Sequence, residues 1–274
     1  MPASPIFCDA HTHLDQYEQF DPAELPGILQ RSHEAGVGYI ILAGTTMEST
    51  ERCIALADEH PMFYAGVGIH PMHAYNPVDD ALYARLETLA RDNPRVVCIS
   101  EVGLDYLPDS PDHEVQDQVF RQHIHLAKSL GLPVIFHSRE SHPEVFKVLR
   151  EENAGQVSGA MHYFQGDAET ARAAIECGFF ISLARPLTRL PELREVARNI
   201  PLEHIVLETD AYPQPFKKYR HNWTEPRHLA EVAQCLATVK GISVEEVAEV
   251  TTRNLSQLLR LETPDAPGAV NPTA

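Results

Sequence analysis

The chain has 274 residues, of which 43% are hydrophobic and 22% are charged. This is an ordinary globular composition with ample apolar material for a core, and the length fits one large α/β domain or two small ones. The formal net charge of −17 excludes a broad basic surface of the kind that binds nucleic acid non-specifically, because that affinity comes from Lys and Arg. A phosphate-containing substrate would have to be attracted locally.

No segment approaches the roughly 20 consecutive apolar residues that a membrane span requires. The N-terminal sequence MPASPIFCDA has no basic start followed by an apolar run, so it does not resemble an export signal. The five cysteines are odd in number, lie far apart and form no C-x-x-C pair, which argues against a disulfide framework and against a thiolate zinc site. We therefore expect a cytoplasmic protein with no membrane partner.

Short apolar or β-branched runs recur along the chain, and each predicts a strand. They cover residues 6–8, 39–43, 63–68, 96–100, 134–137, 160–164, 179–182 and 205–208. Segments of helical character alternate with them, at residues 22–35, 51–60, 79–91, 114–130, 142–152, 167–177 and 190–199. Strands joined by helix-length connections run parallel, and eight such repeats predict a TIM-like (β/α)₈ barrel, an α/β fold.

Two further helices are expected after the eighth strand, at residues 225–239 and 244–261, with Ser243 as the N-cap of the second. No linker or composition shift divides the chain, so we expect one domain over residues 1–262. Residues 263–274 are rich in Pro and Ala and are expected to form a disordered tail.

The segment DAHTHL follows the first predicted strand. Residues i and i+2 of an extended strand point to the same side, so His11 and His13 can share one metal ion. The same spacing at His123 and His125 lies in a predicted helix, where the two side chains diverge by about 200° and cannot easily chelate together.

Four more ionisable residues lie at the ends of, or within, apolar strands, where burial is costly unless they are paired or bind a metal. They are Glu101, His137, His162 and Asp210, with His162 placed inside the sixth strand. Each alone could be a satisfied polar group that caps the barrel. Convergence of all of them with His11 and His13 on one barrel mouth favours a metal site instead.

Imidazole and carboxylate ligands without thiolate suit Mg, Mn, Zn, Fe or Co, and the sequence leaves the native metal open. We expect two divalent ions. If Glu101 bridges them, His11, His13 and Asp210 would bind one ion, and His137 and His162 the other. Two carboxylates contribute −2 against +4 from two ions, and the local surplus of +2 would attract a phosphate to a globally acidic protein.

Several ordered motifs resemble the TatD-family metal-dependent deoxyribonucleases over nearly the whole chain. They are DAHTHL, VGIHP at residues 67–71, SEVGLDY at 100–106, FHSR at 136–139, HYFQG at 162–166, LETDA at 207–211 and the closing TTRNLSQLL. The resemblance implies a barrel of the metallo-dependent hydrolase superfamily that cleaves phosphodiester bonds of DNA, acting as an exonuclease on single strands or 3′ ends and in some members on RNA. It maps the family's ligands onto the same six residues.

Three segments depart from the family's usual pattern: ISLARPLT at residues 181–188, HYFQG, and NWTEP at 222–226. They are expected to rim the barrel mouth, so they bear on substrate range and leave the metal site intact. The sequence leaves the oligomeric state open.

For catalysis, we expect Asp210 to orient the attacking water and to accept its proton, with Glu101 at the metals. His70, in VGIHP, could approach a phosphate, or could be a structural histidine before Pro71. Arg139 could bind a phosphate through its two-pronged guanidinium, or could pair with Glu140 or Glu144 at the surface. Asp105 is expected to support a ligand rather than to bind a metal.

Trp223 and Tyr219 lie near four cations, Lys217, Lys218, Arg220 and Arg227. This cluster could stack bases and follow a strand backbone, or could simply pack on the barrel. Two other functions stay open: hydrolysis of a lactone or small amide on the same scaffold, and a non-catalytic binding protein with a vestigial metal site.

Overall fold

The computed structural model describes residues 5–264. Eight strands follow one another in a parallel sheet of order β1 to β8, and a bridge between Thr12 and Ala211 joins the last strand to the first. The strands are β1 Phe7–Thr12, β2 Val37–Ala43, β3 Phe63–Val67, β4 Val96–Asp105, β5 Val134–Arg139, β6 Gly159–Met161, β7 Phe179–Leu183 and β8 Ile205–Leu207. The predicted (β/α)₈ barrel is confirmed.

Helices cover the outside of the barrel. A short α1 (Tyr17–Phe20) precedes α2, and two helices follow β8, as the sequence predicts. The remaining bounds are α2 Leu25–Glu34, α3 Met47–Glu59, α4 Asp80–Asp92, α5 His113–Leu130, α6 His142–Glu151, α7 Ala168–Glu176, α8 Pro191–Asn199, α9 Leu229–Lys240 and α10 Val244–Leu259. No helix within residues 5–264 is both long and apolar enough to cross a bilayer.

Local capping explains several helix boundaries. The side chains of Thr46, Asp79 and Asp112 accept hydrogen bonds from first-turn amides of α3, α4 and α5, and Ser243 caps α10 as predicted. Gly131 ends α5 in the left-handed conformation, at φ 67°. Thr263 and Pro264 have no regular structure, and the expectation for residues 265–274 lies outside the described residues.

The closing motif TTRNLSQLL forms the second half of α10, which packs against β1 and β8. The side-chain amide of Asn254 donates to the carbonyls of Leu202 and Ile205, at the start of β8, and Thr252 donates to the Ile6 carbonyl. These bonds give partners to carbonyls beside the first residues of β1 and β8. The helix thereby closes the barrel at the end opposite the polar residues described next.

Candidate metal centre

The six predicted ligands meet at the carboxyl end of the barrel. His11 lies in β1, Glu101 in β4 and His137 in β5, whereas His162 and Asp210 follow β6 and β8. His13, Glu101, His137, His162 and Asp210 line an open cleft of about 1130 Å³, and His11 is fully buried behind them.

The placement of His162 inside the sixth strand was wrong. β6 ends at Met161, and Tyr163 has a φ of 48°, in the left-handed region. An extended ladder cannot continue through that conformation. His162 therefore leaves the strand at its end and turns into the cleft.

The two carboxylate oxygens of Glu101 face two different groups of histidines. Oε2 lies 3.4 Å from His11 Nε2 and 3.4 Å from His13 Nε2, and the two nitrogens are 3.3 Å apart. Ligands that surround a tetrahedral ion at about 2.0–2.1 Å are separated by about 3.3–3.4 Å. The triangle of donors therefore has the dimensions of one face of a metal coordination shell.

Oε1 of Glu101 faces the second group. It lies 2.9 Å from His137 Nδ1 and 3.4 Å from His162 Nε2. Glu101 is 3% exposed, so neither oxygen is screened by bulk water. This arrangement gives one carboxylate two sets of nitrogen donors, one on each oxygen.

In three histidines, one ring nitrogen points away from the centre and contacts a neighbouring oxygen. The other ring nitrogen is then the one available to a cation. His13 donates from Nδ1 to the Ala43 carbonyl, and His137 donates from Nε2 to the Asp105 carboxylate over 2.9 Å, because both acceptors can only accept. His162 Nδ1 lies 3.0 Å from Glu208 Oε1 in an ion-pair contact. The inward nitrogens all point to the centre, where each would present its lone pair to a bound cation.

His70 has the opposite arrangement. Its Nδ1 accepts a hydrogen bond from the Met72 amide, so its Nε2 carries the proton, and Nε2 lies 3.4 Å from Glu101 Oε1. Burial lowers the pKa of His70 despite the nearby Glu101, which keeps the ring neutral near pH 7. His70 thus presents an N–H donor to the cleft rather than a lone pair.

The electrostatics of the cluster call for positive charge. Burial alone would raise the pKa of Glu101, but the imidazoles of His70, His162 and His11 hold it well below its usual range. Burial lowers the pKa of His13, but Glu101, Asp210 and Asp15 outweigh it and raise that pKa to about 9. Glu208, Glu101 and Asp210 likewise outweigh burial and raise the pKa of His162 to about 10. Divalent cations would also compensate these carboxylates, and the donor set fits them.

Asp210 occupies a special backbone position. Its φ is 51°, its amide donates to the His11 carbonyl, and Oδ1 lies 3.5 Å from His13 Nε2. Its side chain is 20% exposed, against 4% for that of Glu101. Among the carboxylates of the cluster, Asp210 is therefore the one that substrate and water can reach.

Arg139 lies at the cleft with its side chain 53% exposed, and its guanidinium is 3.6 Å from Asp105 Oδ2. It pairs with neither Glu140 nor Glu144, the surface partners considered from the sequence. Asp105 therefore contacts both His137 and Arg139, which places it behind a candidate ligand, where the sequence predicted it.

Most of the basic and aromatic cluster around Trp223 packs on the barrel. Trp223 is 6% exposed and packs against Tyr17 and Phe20, with the Arg220 guanidinium 4.6 Å from its ring. Arg220 and Arg227 both pair with Glu225. Lys217 and Lys218, in contrast, line the cleft.

Glu208 is a residue that sequence reasoning did not single out. Its fully buried carboxylate accepts hydrogen bonds from Ser182 Oγ and from the Tyr163 amide, and it faces His162. The signal was present, because Glu208 and Asp210 follow the apolar run IVL at the same i, i+2 spacing that marks His11 and His13.

A (β/α)₈ barrel with imidazole and carboxylate donors gathered at the carboxyl ends of its strands has the architecture of a metal-dependent hydrolase. The profile of the family described as TatD related DNase matches residues 8–260, and the chain belongs to the TatD family. The family predicted from the motifs is confirmed.

Individual relatives agree. The chain is 34% identical to the uncharacterized metal-dependent hydrolase YabD of Bacillus subtilis over 92% of this chain and 98% of that protein. It is 31% identical to mouse TATDN3, which is named a deoxyribonuclease on a provisional basis, over 91% of this chain and 87% of that protein. The crystal structure of the TatD homologue YjjV from Escherichia coli superposes with a TM-score of 0.83 at 30% identity, covering 93% of this chain and 98% of that one. The protein is a metal-dependent hydrolase of this family.

Proposed function

We propose that this hydrolase cleaves phosphodiester bonds of DNA, as an exonuclease on single strands or at 3′ ends, with two divalent ions as cofactors. His11, His13 and Asp210 would bind one ion, and His137 and His162 the other, with Glu101 between them. RNA is a second candidate substrate. The family name and the provisional name of TATDN3 support a nucleic-acid substrate.

One observation carries the proposal. Glu101 Oε2 faces His11 and His13, while Oε1 faces His137 and His162, at distances of 2.9–3.4 Å. A carboxylate in that position suits a bridge between two cations. Paired ions stabilise both the attacking and the leaving oxygen of an in-line displacement at phosphorus.

Bound divalent ions would supply charge neutralisation and lower the pKa of a water molecule. The residues of the chain supply the rest. Asp210, the exposed carboxylate of the cluster, orients the attacking water and accepts its proton. His70 donates its Nε2–H to a phosphoryl oxygen, because its Nδ1 is already occupied by the Met72 amide.

Arg139 would hold a non-bridging phosphate oxygen at the edge of the cleft. Its guanidinium is anchored on Asp105 but remains half exposed. The same Asp105 holds His137. A single buried carboxylate would therefore set the positions of a metal ligand and of a phosphate-binding cation.

The test is release of nucleotides from a labelled single strand, with Mg²⁺, Mn²⁺ and Zn²⁺ in separate arms. We expect hydrolysis that EDTA and Glu101→Ala abolish, and that His125→Ala, which removes an exposed histidine of α5, leaves unchanged. A lactone and small-amide panel runs in parallel. Protein that is inert on DNA and RNA with every ion, or that turns over only the panel, would refute the proposal.

A further inference from the structure

The loops after β7 and β8 form one lip of the cleft, and this lip is positively charged. Arg185 and Arg189 come from the first loop, and Lys217 and Lys218 from the second. The lip shares the cleft with Asp210 and His162. Arg185 belongs to ISLARPLT, one of the segments that depart from the usual family sequence.

Three of these four cations have no carboxylate partner in the described part of the chain. Within residues 5–264, Arg189, Lys217 and Lys218 form no ion pair, and Arg185 has one, with Glu231 at 3.2 Å. Partial burial lowers the pKa of Lys217, and the charges of Arg185 and Arg189 lower it further. Like charges held together in this way are relieved by an anion that binds between them.

Phe216 stands on the same lip, next to Lys217, and is 71% exposed. The nearest aromatic ring is that of Tyr212, whose centroid is 6.5 Å away at an angle of 38°. The lip therefore offers an open aromatic face beside a group of cations. The aromatic residue expected from the sequence, Trp223, is buried and cannot serve in this way.

We propose that the lip is a subsite for one unpaired nucleotide next to the scissile bond: its base stacks on Phe216, and its phosphate lies between Arg189 and Lys217. An aromatic face beside cations is the arrangement that binds single-stranded nucleic acid, since every base has a π-face. A base inside a duplex is covered on both sides. The subsite thus favours single strands and frayed ends without reading sequence. This inference rests on the proposed function and names the residues that select its substrate.

The first experiment measures KM and kcat of Phe216→Ala on a labelled oligothymidylate. We expect KM to rise by about 5-fold to 150-fold, the range of one lost base stack, with kcat little changed. Phe216→Trp should restore KM. Tyr75→Ala is the matched control, because Tyr75 is 69% exposed but lies outside the cleft, and it should behave as wild type.

The second arm uses an oligothymidylate with an abasic site at each position from the cleaved end in turn. We expect an abasic site at one of these positions to raise the KM of wild type as much as Phe216→Ala does on the intact strand. On that abasic strand, Phe216→Ala should have the same KM as wild type. The metal content of the variant should equal that of wild type. Equal KM values for Phe216→Ala and wild type on the intact strand, with wild type active, would overturn the inference and leave the proposed function standing.

The third arm tests the cations through salt dependence. Each single-strand phosphate contact contributes about 0.7 to the slope of log affinity against log salt. Replacing both cations, in Arg189→Ala/Lys217→Ala, should lower that slope by about 0.7, the share of the one phosphate between them, whereas Arg198→Ala, at a surface arginine paired with Glu195, should not change it. An unchanged slope in the double variant would overturn the phosphate position. If wild-type protein is inert on every nucleic acid, the proposed function itself is refuted.

Discussion

His137 donates from Nε2 to Asp105 Oδ2 over 2.9 Å, and this bond turns its Nδ1 toward Glu101, also 2.9 Å away. Removing the charge of Asp105 should loosen the imidazole ring of His137 without changing any of the six candidate metal ligands. We expect Asp105→Asn to weaken divalent-metal binding by about 10-fold to 100-fold, the usual effect of losing a carboxylate behind a ligand. Titration of Mn²⁺ or Zn²⁺ into metal-stripped protein measures it. Asp117→Asn, on the surface beside Arg121, should have wild-type affinity.

Glu208 has the same relation to His162. Glu208→Gln removes the negative charge that faces His162 Nδ1, keeps one oxygen to accept from the Tyr163 amide, and offers its amide nitrogen as a donor to the Ser182 hydroxyl. We expect metal affinity to fall by about 10-fold or more, and Ser182→Ala, which leaves that charge in place, to have a smaller effect. Metal affinity of Glu208→Gln equal to wild type would show that His162 is held by packing alone.

Metal removal should destabilise the fold. The folded chain holds the ligand atoms of His11, His13 and Glu101 close together, so it binds a cation that the unfolded chain does not. A ligand at about 100 times its Kd adds about 2.7 kcal/mol to the free energy of unfolding. Thermal unfolding with EDTA and with added Mn²⁺ or Zn²⁺ gives the shift. It should shrink in His13→Ala and persist in His125→Ala. An identical Tm with and without metal in wild type would contradict a folded metal site.

Asp210→Asn should separate proton transfer from metal binding. The amide keeps the size of the side chain and an oxygen for coordination, but it cannot accept the proton of the attacking water. General-base residues contribute about 10²-fold to 10⁴-fold, so we expect kcat to fall by that range while KM changes little. Single-turnover kinetics on a labelled strand would check this. A raised KM with an unchanged kcat would instead assign Asp210 to substrate binding.

Glu225 is the centre of a charge cluster away from the metals. Its carboxylate, 3% exposed, pairs with Arg31, Arg220 and Arg227 at 2.9–3.0 Å and so joins α2 to the loop after β8. We expect Glu225→Gln to cost about 2 kcal/mol in the free energy of unfolding, less than a fully buried pair because the arginines are partly exposed.

The pH dependence of that cost follows from the pKa of Glu225. Burial raises it, but Arg31 and the other arginines lower it below the ordinary value of 4.5. A carboxylate whose pKa is lower in the folded than in the unfolded protein stabilises the fold fully above its pKa in the unfolded state. The stabilisation is lost as the pH falls through its pKa in the folded state. Chemical denaturation should therefore give a difference between wild type and Glu225→Gln that is constant above about pH 5.5 and declines below pH 4.5. A difference that grows as the pH falls would contradict this assignment.

Much of the site could be predicted from residue spacing, because strands in a parallel barrel deliver their last residues to one end. That rule located Glu101, His137 and Asp210 from the apolar runs before them. It failed for the bounds of β6, where the left-handed Tyr163 ends the strand earlier than the apolar run suggests. Spacing also could not give Glu208 a role, since its partners come from distant parts of the chain, Ser182 from β7 and Tyr163 from the turn after β6.

The sequence by itself determined the barrel, the family and the residues that gather at its mouth, because periodicity and motif order are local properties of the chain. Only the tertiary structure decided which nitrogen of His13, His137 and His162 faces the centre, since the partners that decide it, Ala43, Asp105 and Glu208, come from β2, from β4 and from just after β8. It also decided that Trp223 is buried while Phe216 faces the cleft. Exposure depends on what packs against a side chain, and contacts between distant segments set it.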